Sequence, residues 1–297
     1  MGRVEGISIV IDARDTALVV EGGGMRNSYT APAIVRFIEE SVRFGWVGGV
    51  SAGSVHAGNY ASLDAERAKA AFTDFANHPK FGGWLKLVRG QGYFNSEFIY
   101  GDHEDLLPFD FTAFEASGTE LHIEAMRSDT GETVAWTRED FLASPCLLSL
   151  ATRASSTIPT MMPTTLIDDT PYVDGALGDS GGLLIDAAQR AGYNKFVVLG
   201  TRPRDYWKNP MTQVSAVRRF FRKTPAIAEA LEVRSQRYNA SKQKILDAER
   251  DGRAVVLFPD DMRAESTERR LERLNANYLA GMEQVQREWD GWIEFLT

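Results

Sequence analysis

Two short apolar runs, each stopped by a glycine-rich turn and each followed by helical spacing, lie between residues 17 and 61 and commit this part of the chain to an α/β unit. The first, Ala17-Leu18-Val19-Val20, stops at Glu21-Gly22-Gly23-Gly24-Met25-Arg26. Residues 29–44 then carry Ile34, Val35 and Ile38 with helical spacing. The second run, near residues 46–50, delivers the chain into Gly49-Val50-Ser51-Ala52-Gly53. The small residues of 52–61 then predict a helix packed close against a sheet. A right-handed β-α-β connection makes the two strands parallel and puts both glycine turns at the same carboxyl edge.

The second turn has the form G-x-S-x-G, which at a strand-to-helix junction holds a serine in a strained, exposed elbow. Ser51 is therefore a candidate nucleophile, with Gly49 and Gly53 as the elbow glycines. The first turn is of the kind that offers backbone N–H groups to a developing oxyanion. Those around Gly23, Gly24 and Met25, with the Ala52 N–H and the helix dipole behind Ser51, would converge on a substrate carbonyl.

Serine chemistry needs a base, and the order of residues decides which. The four histidines are His56, His78, His103 and His122. An α/β-hydrolase triad runs serine, acid, histidine, so it needs a histidine after the acid, and none follows His122. His56, five residues past Ser51 on the elbow helix, would point its ring away from the hydroxyl. A carboxylate acting alone remains. Residues 166–175 read as a hairpin whose second strand ends on Asp174, and Gly175 lets the backbone turn closely beside the nucleophile.

Gly22-Gly23-Gly24-Met25-Arg26, the Gly49 to Gly53 elbow and Asp174-Gly175-Ala176, in this order, resemble the patatin-like phospholipases, bacterial branch. The resemblance runs from about Leu18 to Arg204. It includes Arg153-Ala154-Ser155-Ser156-Thr157-Ile158-Pro159, similar to the family's segment before the aspartate. It implies a three-layer αβα sandwich with a mainly parallel central sheet, a Ser51–Asp174 dyad, an oxyanion loop from Gly22 through Arg26, and hydrolysis of acyl esters. It implies no metal or organic cofactor. The family usually has glycine where this chain has Asn27; asparagine tolerates positive φ better than other non-glycine residues, which would preserve the loop. A contrasting reading is a lipid-binding or scaffold protein that keeps the fold without turnover, with Asn27 as its one hint.

Other readings are weaker on their own terms. Gly22-x-Gly24 could open a dinucleotide fingerprint, but Asn27 stands where the third glycine belongs. The histidines are dispersed, and Asp102-His103-Glu104-Asp105 reads as a solvated loop rather than a metal site. A net charge of −8 argues against nucleic acid as partner.

The remaining elements are expected as helices over 64–75, 138–150, 183–191, 213–221, 226–249 and from 265 onward, with strands over 120–126, 132–137, 195–200 and 254–258. No composition break marks a boundary. One domain over residues 1–297 is expected, mostly helical from about 205. Residues 81–94, with Phe81, Trp84, Tyr93 and Phe94 among several glycines, read as a flap. Arg218-Arg219-Phe220-Phe221-Arg222-Lys223 reads first as an amphipathic helix with its phenylalanines in the core, and second as an interfacial helix on anionic lipid. The single cysteine, Cys146, excludes an intrachain disulfide. With no signal-peptide h-region at the amino terminus and no membrane-length apolar run, the chain reads as cytoplasmic, with transient contact at a membrane surface.

Overall fold

Alternation along Ala17-Leu18-Val19-Val20 sorts side chains onto opposite faces of one sheet: Leu18 and Val20 enter one apolar cluster, Ala17 and Val19 another. The computed structural model describes residues 10–83, 93–101 and 106–297. Its strands are β1 (Ile11–Val20), β2 (Val42–Gly49), β3 (Glu120–Arg127), β4 (Thr133–Thr137), β5 (Thr165–Ile167), β6 (Thr170–Val173), β7 (Lys195–Leu199) and β8 (Ala254–Leu257). They form one sheet in the order β5-β6-β3-β2-β1-β7-β8, with β4 paired to β3. The run from β3 to β8 is parallel; β4, β5 and β6 add antiparallel pairings.

The helices are α1 (Ala31–Glu39), α2 (Ala52–Ala61), α3 (Ala65–Ala70), α4 (Ser96–Tyr100), α5 (Phe111–Ser117), α6 (Arg138–Ala143), α7 (Cys146–Ser155), α8 (Ile185–Arg190), α9 (Val214–Phe220), α10 (Pro225–Arg250) and α11 (Leu271–Leu296). One sheet face packs on α1, α2, α7 and α11 through Phe37, Ala57, Ala151 and Trp289. The other packs on α8 and α10 through Ile185, Ala188, Tyr238 and Ile245. The result is the expected helix, sheet, helix layering around a mostly parallel sheet. No helix among the described residues is long and apolar enough to cross a membrane.

Among the elements that depart from the sequence expectation, two do so for a plain local reason. The helix expected over 29–44 stops at Glu39, because Ser41 takes a left-handed φ of 57° and Val42 and Phe44 then alternate inward as strand residues. The helix expected over 138–150 is two: Pro145 lacks the N–H that would continue it, and α7 starts afresh at Cys146. The helix expected over 64–75 ends at Ala70, with a 3₁₀ turn at Phe75–Asn77.

The C-terminal third closes over the first glycine turn. A Cβ added at Gly281 would lie 2.0 Å from the Tyr29 carbonyl oxygen, so α11 approaches that backbone as only glycine allows. The Tyr29 hydroxyl donates to Gln284 Oε1 at 2.6 Å, and Asn277 Nδ2 donates to Ser28 Oγ at 2.8 Å.

Candidate active site

Strand pairing brings Ser51 and Asp174 together. His122 of β3 is paired on one side with Gly48 of β2 and on the other with Thr137 of β4; Met126 is paired with Thr133 of β4 and with Val173 of β6. Since β4 holds one edge of β3, β2 and β6 share the opposite edge. β2 is parallel to β3 and β6 antiparallel, so their carboxyl ends face each other along that edge. Pairing of β2 stops at Ile123 and that of β6 resumes at Met126. Into this gap the chain delivers Ser51 from one side and Asp174 from the other.

Ser51 sits at φ 54°, ψ −134°, a conformation that L side chains rarely adopt and that fits a strained elbow. Its flanking glycines are needed for space: a Cβ on Gly49 would lie 2.2 Å from the Gly53 carbonyl oxygen, and one on Gly53 would lie 2.4 Å from the Val20 oxygen. The Ser51 N–H donates to Ser155 Oγ at 2.9 Å, and Asp174 N–H donates to the Thr157 carbonyl at 2.8 Å. The segment from Arg153 to Pro159 thus anchors both strand ends through Ser155 and Thr157.

The glycine loop follows β1 and enters a 3₁₀ turn at Gly24–Ser28. Of its amides, that of Met25 donates to the Ser266 carbonyl at 3.0 Å and that of Arg26 to the Gly23 carbonyl at 3.3 Å. Asn27 is fully buried, and its φ is not positive. With its amide oriented to satisfy both ends, Oδ1 accepts from the Gly23 N–H at 3.2 Å and Nδ2 donates to the Glu21 carbonyl at 3.2 Å. Asn27 therefore ties the loop shut from within the turn, and the backbone tolerance expected of it is not used. These bonds engage the Gly23, Met25 and Arg26 amides, which leaves those of Gly22, Gly24 and Ala52 as the candidate oxyanion donors. Gly24 and Ala52 border the same cavity as Ser51. Gly22 lies against the elbow, where an added Cβ would come within 3.0 Å of the Ser51 Cβ, and its carbonyl accepts from Thr201 Oγ1 at 2.9 Å.

Asp174 is 6% exposed, and its Oδ1 accepts the Ala176 N–H at 2.8 Å. Burial pushes its carboxyl above the usual range; the Arg234 charge, the Ala176 N–H and the Ser51 side chain pull the other way without reversing it. A buried carboxylate with a raised pKa is a stronger base than one in water.

The described histidines are engaged elsewhere. His56 is fully buried, its Nε2 lies 2.9 Å from the Asn27 carbonyl, and its ring lies tilted against that of Phe72. His78 stacks on Phe98, and His122 lies 3.0 Å from Glu124 Oε1. Burial lowers the His56 pKa from 6.5 to about 4. Between those values the unfolded chain binds a proton that the folded one does not, so stability is complete above pH 6.5 and falls as pH drops towards 4. The amplitude is about 3–4 kcal/mol at roughly 1.4 kcal/mol per unit. His56→Gln can still donate to the Asn27 carbonyl, and urea titrations from pH 4 to 7 are expected to show a flatter stability profile for it than for the wild type.

A cavity of about 600 Å³ opens from Ser51 and is lined by Val55, Phe72, Phe75, Ile99, Leu148 and Met162, a bed suited to an acyl chain. Phe81 and Phe94 of the expected flap also line it, while Trp84 and residues 85–92 lie outside the described residues, as do 102–105 and the amino terminus. Sequence reasoning missed Tyr100, half-buried on the cavity wall. Its hydroxyl contacts Ser156, and burial pushes its pKa up to about 12. It also missed Arg234 and Ser266, which reach the site from distant helical and loop segments and carry no local motif. Phe220, expected in the core, is 70% exposed; only Phe221 packs inward.

A serine elbow facing a buried strand-end carboxylate, at the carboxyl edge of a mostly parallel sheet layered between helices, defines an α/β protein with a serine and a carboxylate brought together at its strand ends. The chain belongs to the patatin-like phospholipase family, whose model matches residues 18–186 and whose members are in general lipid acyl hydrolases. A second family, described as a domain of unknown function (DUF6363), matches residues 224–297. Among solved structures the chain is similar to VipD from Legionella pneumophila, with 9% identity and a TM-score of 0.47 over 93% of this chain and 66% of that one, and so spans just under two thirds of its length. No curated protein matches the sequence.

Proposed function

We propose that the protein is a serine acyl hydrolase of the phospholipase A, lysophospholipase or esterase type, cleaving carboxylic esters of lipids with Ser51 as nucleophile and Asp174 as its only general base. The observation that carries this reading is the meeting of β2 and β6 on one edge of β3, which sets the Ser51 side chain against the Asp174 carboxylate beside an apolar cavity. Asp174 accepts the hydroxyl proton as Ser51 Oγ attacks the ester carbon. The resulting oxyanion is held by the Gly24 and Ala52 amides and by the amino-terminal end of α2. Collapse breaks the acyl carbon–oxygen bond, and Asp174 returns the proton to the departing alkoxide. Water then attacks the acyl-enzyme, giving its proton to Asp174, and expulsion of Ser51 Oγ, reprotonated from Asp174, releases the fatty acid.

The C-terminal third belongs to the same working unit in this reading, since Ser266 fixes the Met25 amide and Asn277 fixes Ser28. Exposed Phe220 on α9, followed by Arg222 and Lys223, supports contact with a membrane surface from the cytoplasmic side. The non-catalytic reading rested on Asn27, and the hydrogen bonds of that residue hold the glycine loop closed instead of disrupting it.

Covalent labelling tests the proposal. A fluorophosphonate probe is expected to label the native protein and not the Ser51→Ala variant. An unlabelled native protein, or equal labelling of the variant, would remove the enzyme reading.

A further inference from the structure

Ser51 also borders a second cavity, of about 680 Å³, which meets the apolar one at Gly24, Ser51 and Ile158 and is lined by Asp174. Its wall carries four cations, Arg26, Arg202, Lys208 and Arg234, against two carboxylates, Glu21 and Asp174. Among the described residues none of the four cations forms an ion pair. Other arginines on or beside α10 do: Arg204 with Glu249, Arg218 with Glu232 and Arg237 with Asp179. Arg26 is 9% exposed, and its Nε and that of Arg234 are buried without a hydrogen-bond partner.

The nearby carboxylates, these two and Glu265 within reach of Arg26, leave much of this charge unanswered. Glu21 Oε2 accepts the Thr201 N–H at 2.6 Å, and the Tyr238 hydroxyl contacts the same carboxylate. Asp174 is the proposed base. The cations lie close enough to repel one another. Burial and Arg202 together lower the Arg26 pKa, and burial, Arg234 and Arg202 lower that of Lys208 to about 8. Two tyrosine rings beside the cations already carry one each: Arg202 lies 4.6 Å from the Tyr206 ring and Lys208 Nζ 4.8 Å from that of Tyr238, while Phe220 and Phe221 supply the apolar part of the wall. Clustering like charges in a partly dry chamber is unfavourable, and a multivalent anion bound among them would relieve it.

We propose that this chamber is the subsite for the leaving-group side of the ester and selects substrates bearing a phosphate monoester there, an acylglycerol phosphate over a neutral acylglycerol or a choline ester. The inference rests on the hydrolase reading, which sets the scissile bond at Ser51 between the two cavities. The acyl chain then occupies the apolar cavity, and the glycerol phosphate extends from the ester oxygen into the cationic one.

Two measurements test it. In the first, kcat/KM is compared for 1-acylglycerol 3-phosphate, 1-acylglycerol and the corresponding choline ester, all with the same acyl chain. The phosphate monoester is expected to lead by about tenfold to a hundredfold, the worth of one or two charge-assisted hydrogen bonds. Arg202→Gln and Lys208→Gln should each shrink that ratio severalfold, mainly through KM. In the second, calorimetry follows glycerol 3-phosphate and inorganic phosphate binding to the wild-type protein. Glycerol 3-phosphate is expected to bind and both variants to weaken it, whether or not any ester is turned over. Absence of glycerol 3-phosphate binding, or Ser51-dependent hydrolysis without phosphate preference, overturns the subsite and leaves the hydrolase standing. Equal binding of inorganic phosphate without substrate preference also overturns it, in favour of a free-phosphate site. Glycerol 3-phosphate binding with no ester hydrolysed and Ser51 unlabelled instead overturns the hydrolase.

Discussion

Replacing Asp174 with asparagine is expected to lower hydrolysis of a short p-nitrophenyl ester by about 10²- to 10⁴-fold while making the protein more stable at neutral pH. The loss follows because an amide cannot take the Ser51 proton, and no described histidine is in position to replace it. The gain follows from burial. In the folded chain the Asp174 carboxyl titrates above its ordinary value of 3.8. As pH rises through that window the unfolded chain releases its proton first, so the folded state loses stability, and at neutral pH the full cost of the buried charge is present. Asparagine keeps the shape and can still accept the Ala176 N–H without carrying the charge. Thermal melts should place the variant above the wild type at pH 7, with the gap closing as pH falls towards 3.8. A variant that is inactive and less stable at pH 7 would mean that the carboxylate is a structural anchor rather than a base.

The second large effect is expected at Gly24. Its φ of 57° is one that alanine adopts only under strain, and an added Cβ would lie 2.3 Å from the Ser266 carbonyl oxygen. Ser266 must then withdraw, which frees the Met25 amide it holds and lets the loop drift from its place beside Ser51. Gly24→Ala should therefore lower kcat by about 10²- to 10³-fold, the scale for losing one oxyanion donor. Its stability should fall by about 1–3 kcal/mol, as for other overpacked sites. Stopped-time hydrolysis beside urea unfolding separates the two effects. A variant with wild-type kcat would show that the Gly24 amide does not reach the oxyanion.

The contrast between Ser51 and Arg234 shows how far local pattern reaches. The glycine turns, the elbow serine and the hairpin ending on Asp174 were legible because each is a short-range device: a left-handed φ, a close backbone approach or a strand end leaves its mark within a few residues. Helix limits were less legible where one residue redirected the chain, as Ser41 and Pro145 do. Asn27 was noticed for its neighbours, but its work, holding the Gly23 amide and the Glu21 carbonyl, depends on burial that spacing does not reveal.

By itself the sequence determined the α/β unit, the serine elbow, the absence of a histidine after the acid, and the order of the three motifs, because these depend on backbone conformation and chain order. Only the tertiary structure decided that β2 and β6 meet end to end on β3, which loop amides are engaged within the protein, and that four cations without an ion pair, from three separate segments, line a cavity beside Ser51. Those outcomes bring together residues as far apart in the chain as Gly23 and Arg234, both on the wall of one cavity, where no spacing along the chain records the proximity.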